Sequence, residues 1–388
     1  MSRGARRARP RARPRAGQRG FTLIELMVAL VVSSLLVGMI FAIFVRMSTA
    51  YRGQQQVSEV QSKLAGARAR IELDAKLAGL RMADGFYVAT LGGGLRRSPL
   101  RVINNADAPD ELELYYADPS VQVAVDAAAG TTCTRLACDQ LTSTAGLVPG
   151  DVVVMSTHVI EPAYPSGPRV AQFEACVLQV SSVGPTQLVF STAPPWGTAD
   201  DNLFCPREPN VGGDPSRGKT VFYKLAARHW RIDPARPADG VLQLSTLGTL
   251  AGQDDWQDQA YGFTDLQVAT QLFEPGNTDE TRDPDTDLER DWYSGEEQEF
   301  ATAPVAAPTP FSAPLQLTIS LVARTSRDVE GIASASTPSL TEPGNEQFNT
   351  IGDRAAIPLP SVLPALAGNR IYRYTTFQID LRNLGVGR

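Results

Sequence analysis

Residues 21–45, FTLIELMVALVVSSLLVGMIFAIFV, constrain this chain more than any other stretch: they hold a single charge, Glu25, and no proline. A helix rises 1.5 Å per residue, so a segment of this length reaches about 37 Å and can cross a hydrocarbon core of about 30 Å. The run therefore predicts a membrane helix that tethers whatever follows it. A carboxylate inside an apolar helix is costly in lipid, and Glu25 calls for a cationic partner.

Residues 1–20 carry eight of the chain's 36 basic residues and none of its 42 acidic ones, so 28 basic and 42 acidic residues remain beyond them, a formal charge near −14. A block of arginines before an apolar helix sets orientation: the block stays in the cytoplasm and the rest crosses. Aromatic residues are not interleaved with these arginines, so the block does not read as a nucleic-acid surface. An ordinary secretory signal is disfavoured, because no small-x-small cleavage boundary follows Val45.

Arg19, Gly20 and the start of the apolar run read RGFTLIELMVAL. This sequence resembles the class III signal of type IV prepilins. The resemblance implies cleavage between Gly20 and Phe21 by a prepilin peptidase, N-methylation of the new amine on Phe21, and pairing of Glu25 with the amine of a neighbouring subunit. It also implies a helix of about 55 residues, half in lipid and half docked on a domain. The simpler alternative is an uncleaved signal anchor whose Glu25 snorkels toward the interface.

The polar continuation agrees with a helix. Val57, Val60, Leu64, Ala67 and Ile71 recur at steps of three and four, which places one apolar stripe on a soluble face over residues 46–80. Gly53 and Gly66 weaken it slightly.

Residues 81–388 are large enough for one big core or two smaller ones. β-Formers fall in runs at 111–116, 151–157, 173–183, 186–191, 220–232, 241–247, 263–274, 315–325 and 371–384, punctuated by Gly, Pro, Asn and Asp. The expected fold class is α+β: a long N-terminal helix packed on a large antiparallel β-rich head. Two stretches, about 277–314 and 333–366, read as surface insertions on their acidic, Pro, Ser and Thr content.

Four cysteines, Cys133, Cys138, Cys176 and Cys205, form an even set in a region expected outside the cytoplasm, where disulfides persist. Three connectivities are possible, and sequence proximity favours Cys133 with Cys138 and Cys176 with Cys205. Zinc is a weak alternative without a CxxC pair, and the two histidines, His158 and His229, are far apart in sequence. Asp283, Asp285, Asp287 and Asp291 offer alternating oxygen donors like those of a calcium loop. An EF-hand needs glycine where Leu288 stands and glutamate where Ser294 stands, so a solvated acidic loop is the plainer reading.

Common catalytic signatures (GxSxG, GxxxxGK[ST], HExxH) are missing from the sequence, and His229 beside Trp230 reads as a packed strand histidine. No enzyme activity and no cofactor is expected. The ending, LQLTISLVARTSRD and then RYTTFQIDLRNLG with Arg382 and Asn383, is similar to PilW-type minor pilins, as is the AGLRMADGF stretch at 78–86. That resemblance implies a minor pilin that primes assembly of a type IV pilus and sits at or near its tip. The implied partners are other minor pilins, the major pilin, a possible tip adhesin, prepilin peptidase and the bacterial inner membrane. The rivals are a J-type minor pseudopilin of type II secretion and an uncleaved membrane-anchored ligand-binding receptor.

Overall fold

The computed structural model describes residues 21–82, 85–89, 95–103, 105, 108–125, 134, 136–139, 141–162, 169–194, 196–197, 217–246, 255–273, 292–293, 305–306, 313–326, 370–381 and 383. The chain forms two compact units, residues 1–54 and 55–388. Helix α1 (Leu23–Leu77) spans 55 residues and takes in both the apolar run and the polar continuation. It ends three residues before the expected position 80. Gly79 adopts a φ of 74°, the left-handed turn that closes many helices and that glycine enters without a Cβ penalty.

All nine expected strands are present with shifted ends, and seven short ones join them. In order they are β1 (Phe86–Tyr87), β2 (Leu95–Arg97), β3 (Leu100–Ile103), β4 (Glu111–Ala124), β5 (Ala137–Cys138) and β6 (Val152–Pro162). Then come β7 (Arg169–Val183), β8 (Leu188–Phe190), β9 (Arg217–Ile232), β10 (Val241–Ser245) and β11 (Gln257–Tyr261). The chain continues with β12 (Phe263–Phe273), β13 (Trp292–Tyr293), β14 (Val305–Ala306), β15 (Ala313–Arg324) and β16 (Tyr372–Asp380). β13, β14 and the first residues of β15 fall inside the expected insertion at 277–314, so parts of that stretch join the sheets.

The strands make two sheets. A 12-stranded sheet has β9 at its centre, bonded to β4, β6 and β10; β7 lies beyond β6. The second sheet runs β13-β12-β15-β16. Among the described strands, pairing is antiparallel except between β1 and β7, where Phe86 lies opposite Ala175.

Both sheets meet the helix in one core. Val60, Leu64, Ala67, Ile71 and Ala75 of α1 pack with alternate residues of the first sheet, Leu112 and Leu114 on β4 and Trp230 and Ile232 on β9. From the second sheet come Leu317, Ile319 and Leu321 of β15 and Phe377 and Ile379 of β16, spaced by two as one strand face requires. Val57, the first member of the expected stripe, is only half-buried. Two further clusters contain no residue of α1, one holding Cys138, Cys176, Phe190 and Phe222, the other Phe86, Tyr115, Val154 and Trp196.

The most buried carboxylate of the first sheet is fully paired. Glu113 on β4 is fully buried and meets Arg97 at 3.2 Å and Arg101 at 3.5 Å, while the Tyr115 hydroxyl donates to its other oxygen. A lone carboxylate there would carry an uncompensated desolvation penalty of several kcal/mol.

A glycine corner joins the two sheets. Gly240 (φ 61°) and Gly262 (φ 94°) let Phe263 N–H donate to Gly240 O at 2.8 Å and Arg324 N–H to Gly262 O at 2.7 Å. A Cβ on Gly240 would stand 2.2 Å from Phe263 O, which excludes any side chain without backbone movement.

Candidate functional site

The residues singled out for processing and assembly stand at the start of α1. Phe21 is 87% exposed, and every large apolar residue from Leu23 to Val45 is exposed along the helix surface. A soluble helix would hide such a face. By length and composition this helix can cross a membrane, with the apolar surface facing lipid.

Thr22 and Glu25 form a reciprocal cap. Thr22 N–H and Thr22 Oγ1–H both donate to Glu25 Oε2 at 3.0 Å, and Glu25 N–H donates to Thr22 Oγ1 at 3.3 Å. This is a capping box: the threonine side chain satisfies an N–H that the helix start leaves unpaired, and the glutamate does the same for the threonine N–H. The T-x-x-E spacing is a signal for it in the sequence, whereas the expectation for Glu25 is only a cationic partner in a neighbour. Within a single chain its partner is Thr22. Oε1 has no hydrogen bond among the described residues, so the cap leaves one carboxylate oxygen open. Gly20 lies outside the described residues.

At the other end, α1 is keyed to the head by polar contacts that the stripe of apolar residues does not reveal. Asp74 is buried on the sheet-facing side and accepts the Trp230 indole N–H at 3.0 Å, with Arg228 Nε 3.5 Å from its second oxygen. Burial pushes the Asp74 carboxyl above its usual range, and the Arg228 charge and Trp230 bond offset this only in part. Arg228 also lies 5.7 Å over the Tyr116 ring.

The chain's last strand closes the same junction. Asn383 Nδ2 donates to the carbonyl of Lys76 at 2.7 Å, satisfying one of the acceptors that a helix C-terminus leaves open. Arg68 stacks 5.1 Å from the Phe377 ring. The Asn383 of the family-like ending is thus a helix cap. Residues 78–82 make the turn out of α1, where Arg81 adopts a φ of 63° and its carbonyl accepts Ser156 Oγ at 2.8 Å.

His229 is packed. It is 2% exposed, its Nε2 lies 2.7 Å from Glu111 Oε2, and its ring sits 4.8 Å from that of Trp256. Among the described residues no three His, Cys, Asp or Glu side chains gather as a metal site would require. Asp283, Asp285, Asp287 and Asp291 lie outside the described residues, as do Cys133 and Cys205. Cys138 and Cys176 are both buried and both disulfide-bonded.

Residues 15–41 match the prokaryotic N-terminal methylation motif. The match spans Gly20, Phe21, Thr22 and Glu25 and most of the exposed apolar helix, and it indicates a type IV pilin-like or pseudopilin-like protein. Such a leader implies processing by prepilin peptidase and assembly with other pilins. It fits a chain anchored in the inner membrane by α1, and a structural rather than enzymatic role. No curated protein and no solved structure matches the chain.

Proposed function

We propose that this protein is a non-enzymatic minor pilin of a type IV pilus, cut between Gly20 and Phe21, methylated on the Phe21 amine and incorporated at or near the filament tip. One observation carries the reading: a methylation motif at residues 15–41 heads a 55-residue helix whose apolar half is exposed and whose polar half is built into a β-rich head. The exposed half would stay in lipid before assembly and pack against other pilin helices afterwards. Glu25, with Oε2 held by Thr22 and Oε1 open, would present its charge to the Phe21 amine of a neighbour. The size of the head favours a tip over a shaft, where closely repeated subunits would crowd it. The PilW-like ending at Arg382 and Asn383 favours a minor pilin over a pseudopilin, although both share the motif.

Two experiments test this. Mass spectrometry of protein from its native membrane should find a chain starting at N-methylated Phe21, and Gly20→Ala should abolish it; a leader retained in the wild type refutes the prepilin reading. Disrupting the gene should abolish twitching motility and spare protein secretion, whereas the reverse pattern assigns the chain to a type II secretion pseudopilus.

A further inference from the structure

Glu25 and Arg46 bound the apolar half of α1, and the 20 residues between them, 26–45, carry no charge. At about 1.5 Å per residue that stretch rises about 30 Å, the thickness of a hydrocarbon core, so it can span one without tilting. With Glu25 at one boundary, Arg46 stands at the other. Tyr51 and Arg52 follow about 8 and 9 Å further along the axis. The headgroup layer on each side is about 5–8 Å deep. Helical side chains lean toward the N-terminus, here back toward the membrane, and a guanidinium on its long stem covers the remaining distance.

These three residues surround the helix. Successive residues turn by about 100°, so with Arg46 as origin Tyr51 stands at about 140° and Arg52 at about 240°. Both arginines are exposed, and Tyr51 is 70% exposed. A partner helix meets one face only, whereas lipid meets every side of a helix that crosses it. Charge points the same way. Further along α1 the lysines have carboxylate partners one turn away, Lys63 with Glu59 at 2.7 Å and Lys76 with Glu72 at 2.6 Å. Arg46 and Arg52 have none on the helix, because residues 26–58 contain no acid.

We propose that Arg46, Tyr51 and Arg52 form a collar that binds phospholipid headgroups in the leaflet at the C-terminal end of the span, both guanidiniums on lipid phosphates, with a preference for anionic lipid. The collar rests on the reading of α1 as a membrane helix. A guanidinium fork matches two oxygens of a phosphate, and tyrosine places an apolar ring and a polar hydroxyl at the same level. The collar sets how deep the helix sits, and with it the level of Glu25 at the opposite boundary.

The test places a photoreactive benzophenone amino acid at Met47, which is 67% exposed and lies within the collar. The full-length chain is reconstituted in vesicles of equal parts phosphatidylcholine and phosphatidylglycerol, and adducts are identified by mass spectrometry. The same probe at Leu36, in mid-span, reports whether the helix crosses the bilayer at all. The probe captures only what lies beside it, so the arginines of residues 1–20, expected at the other membrane face, do not enter the reading at 47. Both positions should capture lipid. At 47 phosphatidylglycerol should exceed phosphatidylcholine by about fivefold or more, as attraction of each arginine to an anionic surface requires, and fall to near parity in Arg46→Gln/Arg52→Gln. Lipid adducts at 36 with none at 47, equal capture of the two lipids at 47, a preference unchanged in the double variant, or a protein adduct at 47 would overturn the collar and leave the membrane helix standing. Absence of lipid adducts at both positions would overturn the two together.

Discussion

The indole N–H of Trp230, in the central strand β9, donates to Asp74 Oδ2 on α1 at 3.0 Å, joining the last turns of the helix to the strand around which the larger sheet is built. Burial holds the Asp74 carboxyl above its usual value of 3.8, so the folded state binds the proton more tightly than the unfolded chain. The corresponding contribution to stability is fully present below about pH 3.8 and is lost as pH rises through the raised folded value. Asp74→Asn keeps an acceptor for Trp230 but does not titrate. Its denaturation midpoint, measured on the full chain in detergent, should lack this acid-side rise relative to wild type. Parallel profiles for the two proteins across the acid range would count against the reading.

The helix stripe makes a sharper contrast. Ile71 is fully buried against both sheets, whereas Leu73, two residues on, is 61% exposed. Ile71→Ala should cost about 2–5 kcal/mol through lost burial and the cavity left behind. Leu73→Ala should change stability by less than about 0.5 kcal/mol, and chemical denaturation of both variants checks the difference.

Two glycines should respond in opposite senses. Gly240→Ala places a methyl group against the Phe263 carbonyl at a φ of 61°, and should destabilise by at least about 2 kcal/mol. Gly66 lies within α1, where an added methyl group would meet nothing within 4 Å, so Gly66→Ala should raise stability by about 0.5–1 kcal/mol. Thermal melts of the two variants provide the comparison.

At the membrane end, substitution separates the two roles of Glu25. Glutamine can accept the bonds from Thr22 but carries no charge, whereas alanine removes both the cap and the charge. If charge drives assembly, Glu25→Gln should be cleaved normally at Gly20 yet fail to enter filaments, as Glu25→Ala does. Thr22→Val, which retains the charge and loses the cap at a cost of about 1 kcal/mol, should still assemble. Recovery of the protein in sheared filament fractions reads all three. Normal incorporation of Glu25→Gln would assign Glu25 to the cap alone.

Much of this molecule is legible in the chain itself. The apolar run and the three-and-four spacing from Val57 to Ile71 dictate a long helix with one exposed lipid-facing half and one buried stripe, because helical period places those side chains on one face. Alternating β-formers locate nine of the sixteen described strands for the same kind of reason. The capping box of Thr22 and Glu25 is also written there, although a partner in another subunit draws attention from it.

Tertiary structure decides what period cannot encode. Alternation says which side chains share a face and is silent about which strand lies alongside, so the division into two sheets, the parallel pairing of β1 with β7 and the two-residue strands emerge only when distant segments meet. Asp74 is an ordinary polar helix residue until Trp230, 156 positions away, comes within hydrogen-bond reach. Asn383 is only a family-like ending until it closes on the Lys76 carbonyl. Local sequence sets the shape and the apolar face of each element, while the partners of buried polar groups are chosen by long-range packing, since burial alone makes an unpaired carboxylate or carbonyl costly.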